Sequence, residues 1–119
     1  MQTIATFRAT TLAETRVQLQ DHVRRQPGDV PSRLALFQLL CVLGQWTRAR
    51  TQLVALSELD VGWRMHAIGF EAVLACEKFR ADVFAGARTP LVLGEPPAWL
   101  GELVQALALL ARRAWAPAA

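Results

Sequence analysis

The sequence predicts an all-α protein built as a degenerate helical repeat of about five to six helices. Apolar residues recur at spacings of three and four between clear helix stop signals, and only the run "LVL" at 91–93 shows the alternation of a β-strand. With 119 residues, of which 53% are hydrophobic, the chain can bury one core. We therefore expect residues 1–119 to form a single helical-repeat domain.

The first half of the chain predicts three helices, and Ile4 and Phe7 fit a short helix before them. Thr11 and Glu14 form a capping-box pattern that opens a helix over about 12–26, which "QPGD" stops. Pro31 suits the first turn of the next helix, whose "RLALFQLLCVL" is apolar nearly all round and predicts a central position. A further helix spans 46–59 with one apolar stripe.

The second half predicts two more helices, over about 64–85 and from Pro96 onward. Met65, Ile68 and Ala72 lie on one apolar face of the first of these, and Gly86 is its expected stop. Between the helices, residues 85–97 are rich in proline and glycine, which favours a packed connector with "LVL" buried. Trp99 is expected in the core, beside a buried stripe made of Leu100, Leu103, Val104, Leu107, Leu110 and Ala111.

A repeat of 34 residues underlies these helices. Gly44, Trp46, Ala49 and Leu53 occupy the positions that glycine, an aromatic, alanine and an apolar residue hold in the second half of a tetratricopeptide repeat. Thr15 stands 34 residues before Ala49, where a small residue is expected. The repeat is therefore degenerate, and its first helix pair is expected to pack more loosely.

Charge and composition argue against several classes of function. The net charge of +3 is spread evenly, whereas a nucleic-acid binder concentrates its basic residues. The longest apolar run is about half a membrane span, and the start of the chain lacks the pattern of a signal peptide. We expect a soluble, cytoplasmic protein that binds neither nucleic acid nor membrane.

No constellation of residues predicts catalysis. His22 and His66 lie on different helices without a cysteine or paired carboxylates nearby, so no metal site is predicted. Phosphate-binding glycine motifs are absent, and no cofactor is expected. Cys41 and Cys76 fall inside apolar helical runs, where a free thiol packs as a small hydrophobe. The protein is expected not to be an enzyme.

Two runs carry a resemblance to a known family: "LFQLLCVLGQWTRARTQL" at 36–53 and "FRADVFAGARTPLVLGEPPAWLGELVQAL" at 79–107. Together they resemble the N-terminal helical part of the bacterial type VI secretion accessory proteins of the TagJ/ImpE family. The resemblance implies that family members carry a second, β-rich domain after this part, and the 119 residues are expected to correspond to the helical part, either as a fragment or as a shortened member. The resemblance implies an adaptor that binds an N-terminal helix of the small contractile-sheath subunit and assists or tunes sheath recycling by a Clp-type ATPase.

Repeat proteins bind partners on the concave surface formed by the first helix of each pair. An apolar groove there suits an amphipathic helix, unless the 64–85 helix packs over it as core. Gln38 either faces solvent or makes a specific hydrogen bond. The alternative function is a self-associating scaffold, a homodimer held by its apolar faces. The predicted groove residues are Leu34, Gln38, Cys41, Met65, Ile68, Ala72 and Ala75.

Overall fold

A computed structural model of the protein describes residues 11–113, in which it contains five helices and no strand. The all-α prediction is confirmed for that range. The expected helix around Ile4 and Phe7 lies outside the described residues, and "LVL" at 91–93 forms no regular secondary structure. The helices are α1 (Leu12–Arg25), α2 (Val30–Val42), α3 (Trp46–Leu59), α4 (Gly62–Phe84) and α5 (Ala98–Ala111).

Helix α1 begins with the predicted capping box. The Thr11 hydroxyl accepts a hydrogen bond from the Glu14 amide at 3.3 Å, and the Glu14 carboxylate accepts one from the Thr11 amide at 2.8 Å. The bond from the Thr11 backbone is the main reason that the pKa of Glu14 is lowered. Two amides that lack a partner within the helix are thereby satisfied, which fixes the start of α1.

The chain divides into two compact units, residues 1–74 and 75–119. The expected organisation of residues 1–119 as a single helical-repeat domain stays a prediction. In the first unit, Leu36, Leu40, Leu53 and Leu56 are each at most 2% exposed and form the centre of the core. Four residues of α2 are buried, more than in any other helix of this unit, so its predicted central position is confirmed.

The 34-residue spacing relates positions that are similarly buried. Thr15 is 6% exposed and Ala49 is fully buried. The threonine fits because its hydroxyl donates to the Thr11 carbonyl at 3.1 Å, so the polar group is not left without a partner. Leu53 is fully buried and Leu19 packs against the core, whereas Trp46 is only half-buried, less than its repeat position predicts.

Helix α4 turns a different face to the core from the one its sequence suggested. Ala67 and Leu74 are buried, and the Phe70 ring contacts that of Phe37 edge to face, with centroids 5.6 Å apart. Met65 and Ile68 are instead exposed. Apolar residues occur on several sides of α4, so periodicity alone does not decide which side packs.

In the second unit, α4 ends at the predicted glycine. Gly86 has a φ of 73°, and a Cβ at that position would lie 2.9 Å from the Cβ of Ala111. The last turns of α4 and α5 therefore lie against each other. Because α5 has 14 residues, its first turn is about 20 Å from its last. The connector must run back over that length, which explains its extended, proline-rich sequence.

The predicted burial of the connector and of α5 is wrong. Leu91 and Leu93 are 78% and 87% exposed, and Trp99 is 60% exposed. Leu103 and Leu110 are also exposed, and no residue of α5 is fully buried. The second unit consists of the end of α4, the connector and α5. These segments form too few layers to enclose an apolar stripe. The other members of the expected stripe, Leu100, Val104, Leu107 and Ala111, are half-buried.

Replacing Gly86 with alanine is expected to destabilise the second unit by more than the same change at Gly94. Both glycines have a left-handed φ, of 73° and 78°, which costs a residue with a Cβ about 1–2 kcal/mol. Only at Gly86 would the new Cβ also collide, at 2.9 Å, with Ala111, whereas Gly94 has open space around it. Thermal unfolding of both variants measures the difference. Equal losses of stability would contradict this close packing.

Candidate partner-binding surface

The three candidate residues of α2 occupy two environments. Leu34 and Cys41 are half-buried and pack against the core of the first unit. Gln38 is exposed, and its amide makes no hydrogen bond within the described part of the chain. Of the two interpretations of Gln38, the structure favours the one in which it faces solvent. Its side chain is thus open to a partner.

The four candidate residues of α4 are all exposed. Met65 and Ile68 are 76% and 67% exposed, and Ala72 and Ala75 are exposed as well. Their spacing of three, four and three places them along one face of a helix. Within the described chain this face is not packed as core. Ala75 begins the second unit, while the other three belong to the first.

Helices α2 and α4 both carry candidate residues. The contact between Phe37 and Phe70 joins them, and Gln38 directly follows Phe37. Ile68 and Ala72, two residues before and after Phe70, lie on the side of α4 that faces away from this contact. Leu34 and Ile68, and likewise Gln38 and Ala72, are separated by the 34 residues of the repeat. Corresponding positions of neighbouring repeat helices therefore carry the candidate residues.

Two further exposed apolar residues were missed by the sequence analysis. Val61, immediately before α4, is 72% exposed and lies four residues before Met65. Val42, on α2, is 73% exposed and lies four residues after Gln38. Each lies four residues from a candidate residue, and this helical spacing was the signal in the sequence that could have identified both. We call Val61, Met65, Ile68 and Ala72 the α4 stripe.

The two cysteines differ in exposure. Cys41 is half-buried, and this burial raises the pKa of its thiol, so the thiol stays protonated and packs as a small apolar group. Cys76 is exposed, contrary to the expected packing in an apolar run. It lies on α4 at the beginning of the second unit.

Two acidic side chains of the first unit are engaged in contacts within the chain itself. Glu71 pairs with Arg50 at 3.2 Å across two helices. His22 Nε2 lies 3.0 Å from Asp29 Oδ2, and a hydrogen bond from Ser32, with a smaller contribution from His22, lowers the pKa of Asp29.

Residues 11–113 contain no group of three histidine, cysteine or acidic side chains placed to hold a metal ion. No helix in the same range is long and apolar enough to cross a bilayer.

The second unit contains a cleft of about 190 Å³ at the joined ends of α4 and α5. Arg88 and Arg112 line it together with apolar residues such as Val104. Arg88 is held by Asp82 at 3.5 Å and lies 5.6 Å from the centre of the Phe79 ring. The carboxylate of Asp82 and the unpaired carbonyl groups at the C-terminal ends of α4 and α5 offset the charges of the two guanidinium groups. The cleft therefore does not favour the binding of anions.

Most of this chain is similar in sequence to a known protein. No protein-family model matches the chain. The chain is 43% identical over 103 residues to the type VI secretion system accessory component TagJ of Pseudomonas aeruginosa. The match covers 87% of this chain but 37% of that protein, so the chain spans little more than a third of its relative. The resemblance indicated by the sequence is thereby confirmed, and 87% of the chain is similar to part of TagJ.

Proposed function

We propose that this chain is a non-enzymatic adaptor, an accessory component of a bacterial type VI secretion system in the cytoplasm. It binds the N-terminal helix of the small contractile-sheath subunit. Through that contact it assists or tunes recycling of the sheath by a Clp-type ATPase. The similarity to TagJ supports the accessory role. The specific partner follows from the family resemblance and from the chemistry of the exposed surface.

The observation that carries this proposal is the uncovered α4 stripe. Three of its residues, Val61, Met65 and Ile68, are each more than 65% exposed. Apolar side chains gathered on one exposed helix face mark a site for association, because covering them removes apolar surface from water. An amphipathic helix, with anchors spaced three and four residues apart, has the matching shape and chemistry. Gln38 and Val42 are also exposed, on α2, and we propose them as further contacts of the bound helix.

A synthetic peptide covering the N-terminal helix of the small sheath subunit is expected to bind the 119-residue chain. Apolar burial supplies most of the affinity, so raising the salt concentration should weaken binding only slightly. Isothermal titration measures this, with a peptide of the same composition but scrambled anchor positions as the control. Replacing Gln38 with leucine should weaken binding without unfolding the protein, because the side chain is exposed.

Two results would count against the adaptor. The folded chain could fail to bind the peptide, or it could bind the scrambled peptide equally well. Light scattering without peptide tests the alternative scaffold function. Formation of a homodimer that the peptide cannot dissociate would favour that alternative, since the exposed apolar residues would then cover one another.

A further inference from the structure

The charged side chains of α2, and of α4 up to residue 74, are nearly all engaged in contacts within the first unit. In α2 the one charged residue is Arg33, which donates to Gln52 at 2.9 Å and to the Pro27 carbonyl at 2.8 Å. In the part of α4 up to residue 74, Glu71 is paired with Arg50. The remaining charge there is Arg64.

The Arg64 side chain is exposed, and its guanidinium forms no ion pair or hydrogen bond within the described residues. It is adjacent to Met65 and lies four residues before Ile68, so it occupies the same side of α4 as the α4 stripe. A helix lying on the stripe passes beside this guanidinium. The carboxylate of Asp60, four residues before Arg64, is exposed and accepts a hydrogen bond from the Gly62 amide at 2.8 Å at the start of α4.

We propose that Arg64 recognises a carboxylate on the bound helix and thereby fixes the direction in which that helix lies. This inference rests on the proposed function and names the partner chemistry of the same site. Apolar burial is not directional, so the stripe alone would accept a helix in either orientation. A cation toward one end of the stripe makes the two orientations unequal, because only one places the acidic residue beside Arg64.

The probe is the sheath peptide, prepared with each acidic residue changed in turn to glutamine. One of these changes should weaken binding to the wild-type chain about two- to fivefold, the range of an exposed ion pair. The same change should have no effect on binding to Arg64→Gln, since the pair is already lost. Arg48→Gln is the matched control: Arg48 is an exposed arginine of α3, bonded to Gln45, and its loss should leave affinity unchanged.

A charge exchange tests the direction of binding. Arg64→Glu should weaken binding more than Arg64→Gln does, and a peptide carrying lysine at the identified acidic position should restore it. The inference is overturned if Arg64→Gln binds every peptide as the wild type does while Ile68→Asp still abolishes binding. In that case the adaptor proposal survives. If the wild-type chain binds no peptide, both the adaptor and the role of Arg64 are wrong.

Discussion

Replacing Leu53 with alanine is expected to destabilise the first unit by about 2–5 kcal/mol, the usual cost of truncating a buried leucine. Leu53 is fully buried in the core cluster, so the change removes apolar contacts and leaves a cavity that close packing cannot fill. Urea unfolding followed by circular dichroism measures the loss of stability.

Val54→Ala is the matched control for this prediction. Val54 follows Leu53 on the same helix but is 40% exposed, so its truncation should cost less than about 1 kcal/mol. Helix propensity does not explain such a contrast, because ordinary residues differ in it by at most about 0.7 kcal/mol. Similar losses for the two variants would show that α3 does not pack as the structure has it.

Replacing Ile68 with aspartate is expected to reduce affinity for the sheath peptide more than about a hundredfold. A bound helix would cover the new carboxylate, and burying a charge that lacks a partner costs several kcal/mol. The aspartate would also compete for Arg64, one turn earlier on the same face. Both effects oppose binding. Isothermal titration gives the affinity.

The folded state should be unaffected by Ile68→Asp, because Ile68 is 67% exposed and belongs to no core cluster. Circular dichroism checks this. Val54→Asp introduces the same charge on the exposed side of α3 and should bind the peptide like the wild type. If folded Ile68→Asp keeps its affinity, the α4 stripe is not the binding surface.

The sequence by itself determined where the helices begin and end. Thr11 and Glu14 cap α1, Pro31 lies in the first turn of α2, and Gly44 and Gly86 take the left-handed φ that ends a helix. These signals are local, since each depends on hydrogen bonds or φ values within a few residues. The repeat spacing likewise predicted the burial of Ala49. The same spacing predicted Leu34, Gln38 and Cys41 on α2, and Ile68, Ala72 and Ala75 on α4, as candidate residues.

The tertiary structure alone decided which apolar residues are covered. Ala67 and Met65 both satisfy helical periodicity, yet one is 8% exposed and the other 76%. The choice depends on which neighbour α4 meets, here through Phe37 and Phe70, and such contacts join residues far apart in sequence. Leu93 is exposed for the same kind of reason. Hydrophobicity favours burial, but burial requires a second surface, and only the packing of the helices determines where one exists.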